Sequence, residues 1–430
     1  MKKLILLPFL FCISVAYAQA QSLYFPPSVG TTWDTLSPSL LGYCQPRVDS
    51  LYNYLQAKNS KSFIVLKDGK IVLEKYFGTY TQDSLWYWAS ASKSLASFIT
   101  GVAQQKGYIN INNKVSQYIG TGWTSELLAK ENLITIKHLL SMNSGLDDQP
   151  PLPCDHLDTA KACLIYKADA GTRWGYHTGA YYHVQDVVSA AVGLSYNAIT
   201  TNWIKSKIGM GGAWSQQIYY SKARDMARFG LLSLNKGIWK TDTLMKDTSY
   251  FNAMINSSQA LNNSYGYLWW LNGKSSAMAP FSQIAVPGSL IPNAPNDMYC
   301  ALGKNDQKIY VVPSQNLVVI RQGNSAGGFS FAGSAFDNVL WDYINKLSCT
   351  NAINYKSETN AISVYPNPSQ GLITLQSNQN QKIYIYNYMG NKVLELQLVN
   401  GVNTVDVAHL TNGIYVIKTT TTSTKFSIAK

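Results

Sequence analysis

Charged residues are scarce in this chain. Asp, Glu, Lys and Arg make up 13% of its 430 residues, and the formal net charge of +12 is spread without basic runs. Nucleic-acid binding draws on clustered basic patches, so no nucleic-acid partner is expected. The five histidines are scattered, without cysteine or carboxylate partners at ligand spacing; that excludes a zinc site and leaves no metal or cofactor expected. Beyond the N-terminal leader, no apolar run approaches the roughly 20 residues that cross a bilayer, so no membrane span is expected. Tandem repeats are absent as well. Cysteine is limited to six residues, one of them, Cys12, inside the leader.

That leader runs from Met1 to Ala18, with Lys2 and Lys3, an apolar stretch from Leu4 to Val15, and Ala16-Tyr17-Ala18 at its end. This is the build of a secretory signal peptide, so residues 1–18 are expected to direct export. Phe11 stands where a lipoprotein would carry a small residue before its cysteine, so no lipid anchor is expected. In an oxidising compartment the five remaining cysteines form an odd set, and one thiol should stay unpaired.

What the chain does carry is Ser90-Ala91-Ser92-Lys93, at the head of an apolar period marked by Leu95, Phe98, Ile99, Val102 and Ala103. Residues three apart are neighbours on a helix, and a lysine one turn from a serine in a dry cleft can take its proton. In the first turn the backbone N–H groups lack intrahelical partners, so the N–H of Ser90 can face a developing oxyanion. Ser233-Leu234-Asn235-Lys236 repeats the spacing, but it leads into Gly237 and reads as a helix end. A second cluster, Tyr176-His177-Thr178-Gly179, opens another helix. A phenol held near a lysine ammonium has its phenolate favoured and could share the serine proton. Ser90 is not framed by a Gly-x-Ser-x-Gly elbow, which sets aside a histidine triad built on His138 or His177.

The order of elements predicts an α+β fold. A helix from about Arg47 precedes the hairpin Phe63–Leu66 and Ile71–Leu73, turned by Asp68-Gly69. Helical patterns dominate from Tyr108 to Gly237; strands return at Tyr265–Trp270, Met298–Leu302, Lys308–Val312 and Leu317–Arg321; a last helix follows from about Phe331 to Leu347. This implies an antiparallel β-sheet flanked by helices with a helical insertion. Beyond Cys349 short alternating strands predict a small all-β sandwich without cysteine. The expected domains are thus residues 1–18, 19–348, a linker at 349–361, and 362–430. If the helix from Arg47 and the last helix pack antiparallel, Cys44 meets Cys349. Cys154 and Cys163 flank a short polar loop and are the easiest pair to close, which leaves Cys300, in an apolar strand, as a buried free thiol.

Five ordered motifs, Ser90-x-x-Lys93, Thr135 to Leu146, Gly171 to Tyr182 around Tyr176, Ser221 to Gly230, and Gly303 to Arg321, resemble those of the serine β-lactamase and penicillin-binding-protein superfamily. The class C-like esterases and aminohexanoate-oligomer hydrolases are its most similar branch. The resemblance covers about residues 35 to 348. It implies Ser90 as the acylated nucleophile, Lys93 as its base and Tyr176 as the proton-sharing partner. It further implies oxyanion donors from the N–H of Ser90 and of Lys304, one past Gly303. Asp306 departs from the second glycine of a Gly-x-x-Gly-Gln third motif. Thr178 stands where Tyr-x-Asn is usual, which favours ester cleavage over β-lactam hydrolysis; His177, beside Tyr176, is expected to line the cleft. Val364-Tyr365-Pro366-Asn367-Pro368 through Gly371, with Leu410 to Ile417, is similar to the type A sorting domain of type IX secretion. The expectation is therefore a secreted or cell-surface serine hydrolase without cofactor, an esterase first. It would act on a small-molecule or peptide substrate and meet the secretion machinery through its C-terminal domain. The alternatives are a β-lactamase, a D-amino-acid peptidase or DD-carboxypeptidase, and a catalytically silent peptide- or glycan-binding protein.

Overall fold

The computed structural model describes residues 23–327, 335–349, 362–419 and 423–430. The expected leader, and the expected linker apart from Cys349, lie outside them. Two compact units divide in sequence between Cys349 and Thr350.

A six-stranded antiparallel sheet organises the first unit. Its hairpin is β1 (Ser60–Lys67) and β2 (Lys70–Tyr76). Lys67 pairs with Lys70, leaving a two-residue loop in which Asp68 and Gly69 have φ of 51° and 83°. Such a loop needs positive φ at both positions. The other strands are β3 (Trp270–Leu271), β4 (Tyr299–Gly303), β5 (Gln307–Val312) and β6 (Leu317–Gly323), and the sheet order is β2-β1-β6-β5-β4-β3.

Five helices position the sheet and the site: α1 (Gln45–Ala57), α2 (Ser92–Gln105), α3 (Thr178–Val192), α4 (Ala223–Leu234) and α5 (Ala335–Asn345). Side chains alternate across a strand, and the two sheet faces meet different helices. Val318 and Ile309 face α4, where a Cβ on Gly230 would lie 2.6 Å from Val318 Cγ1. Lys308 and Tyr310, on the other face, reach Asp337 of α5. With both faces covered, every residue of β6 is buried. Helix α2 is buried at every position from Ser92 to Ala103, and its buried hydroxyls are hydrogen-bonded, Ser94 to the Leu268 carbonyl and Thr100 to the Ala96 carbonyl.

The chain ends of this unit are tied together. Tyr54 of α1 stacks on Phe336 and Tyr343 of α5, the two helices run antiparallel, and Cys44 is bonded to Cys349 with Cα atoms 5.6 Å apart. A second disulfide joins Cys154 to Cys163, while Cys300 is buried and free.

One predicted strand is corrected. Of Tyr265–Trp270 only Trp270 pairs with β4. The rest is a loop with Leu268 at φ 58°, because its rings pack in different directions: Tyr265 on Trp174 and Tyr176, Trp269 on Phe229 and Tyr299.

The second unit has strands β7 (Ser363–Tyr365), β8 (Leu372–Ser377), β9 (Gln381–Asn387), β10 (Lys392–Leu398), β11 (Gly401–Asp406), β12 (Gly413–Lys418) and β13 (Ser423–Ile428). They form antiparallel sheets β7-β8-β11 and β10-β9-β12-β13 around a core including Ile373, Leu375, Ile383, Ile385, Tyr415 and Phe426.

Candidate active site

Ser90 lies two residues ahead of α2 rather than in its first turn. It sits in a 3₁₀ turn, Ala89–Ala91, that feeds straight into α2. The turn is held from outside: Trp86 and Tyr87 pair with Ser221 and Tyr220, the Trp88 N–H donates to the Tyr219 carbonyl (2.8 Å), and the Tyr219 N–H donates to Ser92 Oγ (2.9 Å). Ala89 is forced to φ 47°, a strained state for a residue with a Cβ, costing about 1–3 kcal/mol.

Lys93 Nζ donates to Ser90 Oγ at 3.0 Å and to Thr178 Oγ1 at 3.2 Å. It lies 5.0 Å from the ring centre of Tyr176 and 4.8 Å from that of Tyr181. Lys93 is 2% exposed, and burial pulls its pKa down to about 7. An amine so lowered is about half neutral near pH 7 and can then accept a proton.

Burial dominates Tyr176 too, but in the opposite sense. Its pKa rises to about 12, with hydrogen bonds to the hydroxyls of Ser90 and Tyr265 offsetting part of the rise. This corrects the expected phenolate: desolvation by burial is the largest influence on Tyr176 and favours the protonated phenol. Trp270 stacks on its ring at 6.0 Å, and Tyr265 meets it edge-on at 6.2 Å.

Gly303 brings the third motif to Ser90. A Cβ there would sit 2.3 Å from the Trp88 carbonyl oxygen and 3.1 Å from the Ala91 nitrogen, so only glycine lets β4 end against the Ser90 turn. Lys304 follows and lines the same cleft. The turn is pinned from behind: Gln307 Nε2 donates to the Asn305 carbonyl (2.9 Å), and Arg321 Nη1 to the carbonyls of Asn305 (2.9 Å) and Asp306 (3.0 Å). Asp306 points into the core, accepting from the Ala326 N–H (2.9 Å) and pairing with Lys308 at 3.3 Å. Its replacement of glycine therefore places no carboxylate in the cleft.

The cleft has a volume of about 670 Å³ and is lined by Ser90, Lys93, Tyr176, Thr178, Gly303 and Lys304 together. His177 is absent from its wall: the residue is 1% exposed, and its Nδ1 accepts the Ala180 N–H (3.2 Å) to cap α3. His156 lines the wall instead, its pKa lowered by burial. His138 caps a different short helix. Among the described residues one group with metal-ligand potential occurs, Cys154, Asp158 and Cys163, and its two sulfurs are bonded to each other.

Several residues in or behind the cleft escaped the sequence reading. Tyr265, packed behind Tyr176, falls within the expected strand Tyr265–Trp270. Asn305 donates to the Tyr87 hydroxyl at 2.6 Å across two motifs, which no spacing announces. Ser325 did have a signal, since Gly323-Asn324-Ser325-Ala326-Gly327 has elbow spacing directly after β6. Its Oγ accepts the Gly327 N–H at 3.3 Å, and among the described residues no lysine or histidine pairs with it.

An antiparallel sheet with a helical insertion that sets a buried lysine against a serine defines a serine hydrolase. A family model described as Beta-lactamase matches residues 56–340, and one described as Secretion system C-terminal sorting domain matches residues 363–430. Among solved structures the fold is similar to a protein described as a 6-aminohexanoate-dimer hydrolase from Bacillus anthracis (18% identity, TM-score 0.55, 74% of this chain and 87% of that one). It is also similar to a family VIII carboxylesterase (14%, 0.53, 71% and 99%) and to a class C beta-lactamase (15%, 0.52, 70% and 97%). An uncharacterized protein of Alkalihalophilus pseudofirmus is 22% identical over 314 residues, 63% of this chain and 86% of the relative. The chain belongs to the beta-lactamase family of serine hydrolases. Its second unit is a sorting domain that marks proteins exported by type IX secretion to the cell surface or extracellular space.

Proposed function

We propose that the enzyme cleaves esters through an acyl-enzyme on Ser90. The carrying observation is the 3.0 Å contact between Ser90 Oγ and a buried Lys93 amine whose pKa falls to about 7. Neutral Lys93 takes the Ser90 proton as Oγ attacks the carbonyl carbon, and the N–H groups of Ser90 and Lys304 hold the oxyanion. As the tetrahedral adduct collapses, Tyr176 gives its phenolic proton to the leaving oxygen and is reprotonated from the Lys93 ammonium. Water then enters by the same relay and frees the acid.

Two observations favour an ester over the alternatives. The short hydroxyl of Thr178 is engaged by Lys93 and offers no amide to an acylamino side chain. Among the described residues no carboxylate side chain lines the cleft, so nothing there pairs with the free ammonium of an amino-acid peptide. A fluorophosphonate probe, which phosphonylates an activated serine, tests the reading on the purified full chain. Stoichiometric labelling at Ser90 with loss of ester turnover is expected; an unlabelled protein without ester turnover would favour the silent binding protein.

A further inference from the structure

Away from the nucleophile, the cleft is walled by two loops that no family motif covers. His156 belongs to the loop closed by the Cys154–Cys163 disulfide. Its carbonyl accepts the Gly179 N–H at 2.8 Å, tying the loop to the segment that carries Tyr176 and Thr178. Gly179 permits that approach, since a Cβ there would fall 1.9 Å from the Asp158 carbonyl oxygen. Phe281 comes from a separate loop, anchored by Gln149 Nε2 on the Phe281 carbonyl (3.1 Å) and Gln283 Nε2 on the Trp174 carbonyl (2.9 Å).

The two rings meet edge to face, with centroids 4.7 Å apart and planes at 70°. Leu157, Pro280 and Tyr182 line the same cleft. Phe281 holds φ 63°, a conformation that suits glycine and strains a large side chain. An aromatic ring kept at a glycine-type position in a cleft wall is kept against a local penalty, which points to a use for the ring itself.

We propose that the His156–Phe281 pair is the recognition platform for an aryl group carried by the ester that Ser90 cleaves. Aromatic rings favour offset or edge-to-face partners, and a disulfide-closed loop presents such a partner already formed, which limits the ordering lost on binding. The proposal rests on the reading of Ser90 as nucleophile.

The test compares kcat and KM for 2-naphthyl acetate and 2,2,2-trifluoroethyl acetate on the full chain and on His156→Ala, Phe281→Gly and Phe281→Leu, with melting curves for each. The naphthyl-to-trifluoroethyl ratio of kcat/KM is expected to fall about five- to tenfold in all three, mainly through KM. Phe281→Gly should melt no lower than the parent, because glycine relieves the backbone. A parental ratio in His156→Ala and Phe281→Gly, or equal slowing of both esters, overturns the platform. A parental ratio in Phe281→Leu alone shows that apolar bulk suffices and overturns the aryl assignment. A parent with neither ester turnover nor fluorophosphonate labelling overturns the nucleophile and the platform together, an outcome distinct from all the others.

Discussion

Ser-x-x-Lys occurs twice in the catalytic unit. At Ser90 the serine stands in a 3₁₀ turn that continues into α2, so Lys93 comes round one turn later beneath it, 3.0 Å from Oγ and buried. At Ser233 the serine is inside α4, 0% exposed, with no partner for its Oγ. Helix α4 then ends, and Lys236 turns to φ 53° and into solvent. Equal spacing therefore gave one juxtaposed pair and one separated pair. The difference lies in whether the helix carries on past the lysine and whether its start opens on a cleft.

The sharpest way to break this comparison is at the hydroxyls. Ser90→Ala is expected to lower turnover of an aryl acetate by about ten-thousandfold or more, whereas Ser233→Ala stays within about twofold. Fluorophosphonate labelling that survives in Ser90→Ala would undo the assignment.

The lysines come next. Lys93→Met should slow the same reaction by about a thousandfold or more, and Lys236→Met should not. Because burial lowers the Lys93 pKa to about 7, parental kcat/KM should rise with pH through about 7 as the amine loses its proton. The sign for stability follows from the same shift. Between about pH 7 and 10.5 the unfolded chain binds this proton and the folded chain does not, so stability increases with pH across that window. Lys93→Met, freed of a buried amine, should lack that rise and melt higher than the parent at pH 6. A flat pH profile for activity would remove Lys93 as the base.

Tyr176→Phe sharpens the picture of the relay. It should keep the fold, since Trp270 and Tyr265 still hold the ring, and lower kcat by about two to three orders of magnitude. Full activity would reduce Tyr176 to a packing residue.

The smallest expected effect concerns substrate choice. An aryl acetate should exceed a cephalosporin in kcat/KM by about a hundredfold, roughly 2.7 kcal/mol in transition-state binding. Thr178→Asn should narrow that gap, and side-by-side kinetics giving the reverse order would return the enzyme to β-lactam chemistry.

Sequence alone carried what depends on local spacing and local backbone chemistry. Asp68-Gly69 between alternating apolar residues specified a two-residue hairpin, and the apolar period that continues past Lys93 marked Ser90 and Lys93 as the pair one helix would bring together. The alternation after Cys349 marked a small β unit. Tyr265–Trp270 misled because ring-rich segments suit strands, and only the placement of Trp174, Phe229 and Tyr299 decided that these rings would diverge.

The tertiary structure decided the chemistry of the groups. Burial lowers the Lys93 pKa to about 7 and raises that of Tyr176 to about 12 because residues far apart in sequence exclude water from both, and desolvation acts on a pKa only once those residues converge. The same holds for direction: His156 faces the cleft while His177 caps a helix, and Asp306 turns inward to Lys308. Spacing along a chain determines which side chains can be neighbours within one element; only the packing of one element on another determines which of them meet solvent, substrate or each other.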